Sequence, residues 1–208
     1  MFIKPRIEKE YFDSKHKSVL YAIMYPDVVS WLNYKIAGFL IDYMCIKSAS
    51  DEFAIRGLTD YSYLITPAFK ALEGTLLEIG KELKLNIQKY KHKVGALFNE
   101  EDLEKYYNEV LEKIEHITEE NKIDIKQWLD NAKRILKSLR HTPAHYEGEV
   151  KENLTKAFLS GDLIISTINE MCHVLIQNRL FPSILKKEAE AKKMGGGGVI
   201  PFIEGSSR

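Results

Sequence analysis

The chain has 208 residues, which suits one domain or one domain with appendages. Hydrophobic residues make up 45% of it, enough for a packed core, so global disorder is excluded. The 30 basic side chains balance the 30 acidic ones, so bulk charge offers no attraction for nucleic acid and any such contact must come from a local patch.

Residues 1–17 carry scattered charges and no continuous apolar run, unlike a secretory signal. The most membrane-like stretch, Val28 to Ile46, is interrupted by Lys35 and Asp42 and reads as a buried helix, so no membrane association is expected and a cytoplasmic location is. Cys45 and Cys172 lie in apolar stretches without a CxxC spacing, which predicts buried reduced thiols rather than a disulfide or zinc site.

In chain order, helical spacing dominates. A first long helix is predicted from Pro26 to about Lys47, with Val28, Trp31, Leu32, Ile36, Phe39 and Tyr43 along one face, followed by a looser stretch from Ser48 to Gly57. A second helix starts at Thr66 as cap with Pro67 in its first position, and buries Ala68, Leu72, Leu76 and Ile79. Gly74 inside it costs about 1 kcal/mol relative to alanine, which predicts close packing against a neighbour. Lys81 to Lys93 reads as basic surface. Glu100 to Glu120 reads as a solvated amphipathic helix on Leu103, Tyr107, Val110, Ile114 and Ile117.

The next helix, Asn121 to Arg140, buries Ile125, Trp128, Leu129, Ala132, Ile135, Leu136 and Leu139. Lys126, Lys133, Lys137 and Arg140, at spacings of seven, four and three, form a basic stripe opposed within the helix by Asp130. Pro143 disfavours helix at Thr142, so the helix ends near Arg140 and His145 sits just beyond it. Further helices are predicted from Gly161 to Gln177, with Leu163, Ile164, Ile168, Met171 and Leu175 inward, and from Pro182 to Lys193. The sum is an all-α antiparallel helical bundle, a single domain over residues 1–193, with a flexible Gly-rich tail over 194–208 that carries an apolar run from Val199 to Ile203.

Arg140 and His145 straddle a helix end. A guanidinium presents a fixed fork of donors to a phosphate, and an imidazole moves protons near neutrality. In RNA the 2′-hydroxyl supplies the nucleophile, so these groups suffice in kind for cleavage without a metal or cofactor. The same two residues also fit a plainer role, an arginine neutralising a helix C-terminus and a histidine stabilising a turn. His16, His92, His116 and His173 show no metal-ligand grouping in sequence.

Leu139-Arg140-His141-Thr142-Pro143-Ala144-His145 resembles the Arg-x4-6-His motif of the HEPN superfamily, in which a polar residue follows the arginine. Thr66-Pro67-Ala68-Phe69-Lys70-Ala71-Leu72-Glu73-Gly74 is similar to the helix of the RNase LS toxin family that contributes an Arg-x-x-Glu pair, with Lys70 and Glu73 at the matching positions. The likeness extends over about residues 58–177. It implies a helical bundle, usually dimeric, whose motifs face a shared cleft. It also implies metal-independent endoribonuclease activity leaving a 2′,3′-cyclic phosphate, in a toxin–antitoxin or antiviral setting with an antitoxin partner.

On that basis Arg140, His145, Glu73 and Lys70 are the candidate catalytic residues, and His141, Lys137 and Lys133 the candidate RNA contacts. Lys70 and Glu73 share a face offset from Leu72 and Leu76. Lysine replaces the family's arginine at 70, and Glu147 stands where related toxins carry a tyrosine, with Tyr146 beside it. Two other readings use the same bundle: a non-catalytic HEPN-like domain that binds nucleotide, RNA or protein, and a helical interaction protein with no nucleic-acid role.

Overall fold

The computed structural model describes residues 17–55, 62–87, 100–141 and 150–193; within these, the side chains of 137–141 and 150–153 and a few others at segment ends are not described. The described residues form nine α-helices and no strand, as the all-α expectation requires. They are α1 (Lys17–Tyr21), α2 (Pro26–Trp31), α3 (Tyr34–Ser48), α4 (Ser50–Ile55), α5 (Thr66–Glu82), α6 (Glu100–Lys113), α7 (Glu119–His141), α8 (Val150–Gln177) and α9 (Pro182–Lys193), with a 3₁₀ turn at Ser62–Ile65.

α8 is the central post. α2, α3, α4, α5, α7 and the 3₁₀ turn all pack on it, while α3 packs on α5 and α6 on α7. Its buried stripe includes Ile164, Ile168, Met171, Cys172 and Leu175, each at most 1% exposed. The side-chain amide of Asn121 donates to Asn178 Oδ1 at 2.8 Å, tying the start of α7 to the residue after α8. The two helices therefore run antiparallel, and the last turns of α7 lie beside the N-terminal half of α8. At the end of α5, Glu82 accepts from the Ser183 amide at 3.1 Å and from the Ser183 hydroxyl, and so caps α9 from outside. The start of α5 consequently lies back along α8, where the 3₁₀ turn also touches it.

Several predicted boundaries are corrected, each for a local reason. The single helix from Pro26 to Lys47 is two helices. Asn33 breaks it in extended backbone (φ −74°, ψ 158°), and its side chain accepts from the amides of Lys35 and Ile36 at 3.0 and 3.1 Å. The apolar pattern runs unbroken across this corner because Trp31, Leu32 and Ile36 are buried on both sides of it. The looser stretch after Ser48 contains α4. Thr66 does not cap α5: Ile65 holds that position in helical backbone, because the 3₁₀ turn feeds straight into the helix. The acidic helix stops at Lys113 rather than Glu120, and Thr118 accepts from the Asn121 amide at 3.4 Å to begin α7.

α8 begins at Val150, not Gly161, and Leu163 points partly to solvent (36% exposed) while Ile164 and Ile165 turn inward. Of the cysteines, Cys172 is buried as expected but Cys45 is exposed. Burial, with a smaller push from the Asp27 charge, holds the Cys172 thiol well above its ordinary value, so it stays an inert thiol.

Gly74, Gly80 and Gly161 each mark a close approach. A Cβ at Gly74 would stand 3.1 Å from Ile36 Cγ1, so the expected tight packing is found, against α3. Gly161 is tighter still. A Cβ there would lie 2.3 Å from the ring of Tyr43, which is fully buried. Gly161→Ala is expected to lower stability by about 3 kcal/mol, since neither the α8 backbone nor the ring can yield cheaply. Equilibrium denaturation would show it as a lower midpoint at unchanged slope. Adding Tyr43→Leu should recover part of the loss, and an unshifted midpoint in Gly161→Ala would contradict the contact.

Candidate active site at one end of the bundle

The candidate residues come from α5 and α7, both of which lean on α8. On α5, Lys70 and Glu73 are one turn apart but meet different surroundings. Lys70 is exposed, with its ammonium 5.6 Å from the centroid of the Phe39 ring on α3. Glu73 is buried at 9% exposure, in a stripe with Leu72, Thr75 and Leu76. The expected shared face offset from Leu72 and Leu76 is thus corrected: an i,i+3 pair subtends about 60° of the helix, and the edge of the buried stripe passes between the two residues. A carboxylate in such a place lowers stability unless polar groups meet it.

On α7, Lys133 sits where the stripe leans against α6. Its ammonium pairs with the Glu104 carboxylate and lies 5.3 Å from the centroid of the Tyr107 ring. Asp130 lies close to the Tyr107 phenol. Burial first, then the Asp130 and Glu104 charges, push its phenol up to about 12. The backbone of Lys137, Arg140 and His141 continues the same helix, and Arg140 stands one turn past the buried Leu136. Their side chains, and His145 and Tyr146 altogether, lie outside the described residues, as does the tail 194–208. The fold therefore brings the first turns of α5 and the last turns of α7 toward the same half of α8.

Two polar clusters had no signal in the sequence because their members are more than 100 residues apart. At the N-terminal half of α8, Lys47 Nζ pairs with Asp162 at 2.6 Å, and the Tyr43 hydroxyl lies 2.9 Å from the Phe158 carbonyl oxygen and 3.1 Å from Asp162 Oδ1. Burial above all, then the Asp162 charge, raises the Tyr43 phenol far above its ordinary value, so it serves as a fixed donor. Further along, His173 Nδ1 meets Asp27 Oδ2 at 2.8 Å, Gln177 donates to the same oxygen at 3.0 Å, and the imidazole stacks on Tyr25 at 4.0 Å. This cluster bolts α2 to α8. Among the described residues no group of three or more His, Cys, Asp or Glu side chains is placed to hold a metal.

One helix among the described residues, Leu154–Gln177 within α8, is long and apolar enough to cross a membrane by length and composition, and 56% of that stretch is buried inside the bundle. The Val28 to Ile46 stretch is broken at Asn33 instead.

The family model described as RNase LS, bacterial toxin DBD domain, matches residues 11–147. The chain belongs to that bacterial toxin family. The match contains every candidate site residue from Lys70 to His145, starts well before the stretch 58–177 that carries the resemblance, and stops short of α8. No curated protein and no solved structure matches the chain.

Proposed function

We propose that this toxin-family protein is an endoribonuclease of the HEPN type, which cleaves single-stranded RNA by attack of the substrate's own 2′-hydroxyl and needs no metal. The observation that carries this reading is the family match, which joins in one stretch the α5 segment with Lys70 and Glu73 and the Arg140–His145 segment at the end of α7. In this mechanism His145 takes the proton from the 2′-hydroxyl or gives one to the leaving 5′-oxygen. Arg140 holds the scissile phosphate and the charge that grows on it. Glu73, from the buried side, orients Arg140 or a histidine, and Lys70 adds a point charge rather than a bidentate grip. His141, Lys137 and Lys133 hold the flanking backbone. The products are a 2′,3′-cyclic phosphate and a free 5′-hydroxyl. A homodimer with the two motifs facing one cleft, a protein antitoxin, a cytoplasmic setting and a single domain over 1–193 complete the proposal.

A second reading, a non-catalytic HEPN-like binding domain, draws on the partners of two lysines: Lys70 lies over Phe39, and Lys133 is paired with Glu104. The deciding experiment is cleavage of end-labelled single-stranded RNA in excess EDTA, with His145→Ala beside the wild type. Cutting by the wild type alone, with a cyclic-phosphate end, supports the nuclease. Equal cutting by both removes His145 from the chemistry. A folded protein that never cuts puts the binding domain first.

A further inference from the structure

The basic stripe is met by an acid from another helix. Lys133, the member nearest the middle of α7, has its ammonium in contact with Glu104 of α6 and over the Tyr107 ring, and only 22% of its side chain is exposed. Asp130, close to the Tyr107 phenol, brings a second negative charge to the same spot. Lys133 therefore stands beside two acidic side chains, Glu104 and Asp130. Glu104 itself is half exposed, at 48% of its side chain, and is free to swing into solvent once its cation is taken. A carboxylate oxygen on an ammonium occupies the place that a phosphate oxygen would take.

We infer that Glu104 is a built-in competitor for the RNA backbone: it holds Lys133 in the free protein, and a bound strand reaches Lys133 only by displacing it. This rests on the RNA reading above. It assigns a role to a residue on the acidic face of α6, outside the motif. With Glu104 in place Lys133 is withheld from the strand. With Glu104 displaced the strand gains one lysine contact, so this residue sets how much of the strand is gripped and how steeply binding depends on salt.

The test is equilibrium binding of a 2′-O-methyl oligoribonucleotide, which lacks the attacking hydroxyl and stays intact, measured across a salt series. Glu104→Gln is expected to bind roughly 3- to 10-fold more tightly at low salt, with a log–log salt slope steeper by about 0.7, the increment for one more phosphate on a single strand. Glu101→Gln makes the same charge change one turn away on α6, where the acid pairs with Lys105 instead of the stripe; it should alter affinity less than about 2-fold. In a Lys133→Gln background the gain from Glu104→Gln should vanish. Equal gains from Glu104→Gln and Glu101→Gln, or a gain that survives Lys133→Gln, would overturn the inference while leaving RNA binding standing. Folded wild-type and Glu104→Gln proteins that both fail to bind would overturn the RNA reading itself.

Discussion

A chain cut after Glu147 should show no cooperative unfolding transition, although it keeps everything the family match covers. The cut removes α8, the helix on which α2, α3, α4, α5 and α7 converge. Ile164, Ile168, Met171, Cys172 and Leu175 are each at most 1% exposed. Burying one large apolar side chain contributes roughly 1.5–3 kcal/mol, so the four large ones alone represent about 6–12 kcal/mol. Net stability of a domain is only about 5–15 kcal/mol. The fragment also loses the partners of Tyr43, Lys47, Tyr25 and Asp27. Circular dichroism with a denaturant titration would check this, and a sigmoidal transition in the fragment would mean that α8 is an accessory and not the post. The matched stretch is thus a unit of resemblance, whereas the physical unit needs α8.

His145→Ala should slow RNA cleavage by about 10²–10⁴-fold, the usual contribution of a positioned acid or base. The loss should fall on the single-turnover rate at saturating RNA, with affinity nearly unchanged, because proton transfer matters only as the phosphate becomes pentacoordinate. Arg140 behaves differently. Arg140→Ala should weaken binding and rate together, and Arg140→Lys should restore the binding more than the rate, since a lysine replaces the charge but not the fork. A His145→Ala protein that loses affinity while keeping its rate would assign His145 to holding RNA. Arg140→Lys with full activity would deny the guanidinium geometry any part.

Helices were legible wherever a single strip of sequence carries the pattern. The α9 span follows from Pro182 and the lysines near its end, and α7 from its apolar stripe. Pattern failed where a corner is buried on both sides, as at Asn33, or where the deciding partner is far along the chain. The helix predicted from Gly161 begins at Val150, and in the fold Gly161 is the gap that admits Tyr43. The site followed the same rule. Spacing put Lys133 on the stripe and Glu73 one turn from Lys70. It could not show Glu104 across from the lysine, nor the line of burial that separates Lys70 from Glu73.

The two tryptophans stand in different parts of this architecture. Trp31 donates its indole N–H to Glu82 at 3.2 Å and stacks on Phe181 at 4.7 Å, in the knot that also fastens the start of α9. Trp128 is half-buried on α7, the helix of the basic stripe. Their emission therefore constitutes two built-in optical probes. With Trp128 replaced by phenylalanine, the remaining signal follows whether the C-terminal helix stays latched. With Trp31 replaced, it follows α7, the helix that would meet RNA, so events at the two elements can be timed separately without attaching a dye.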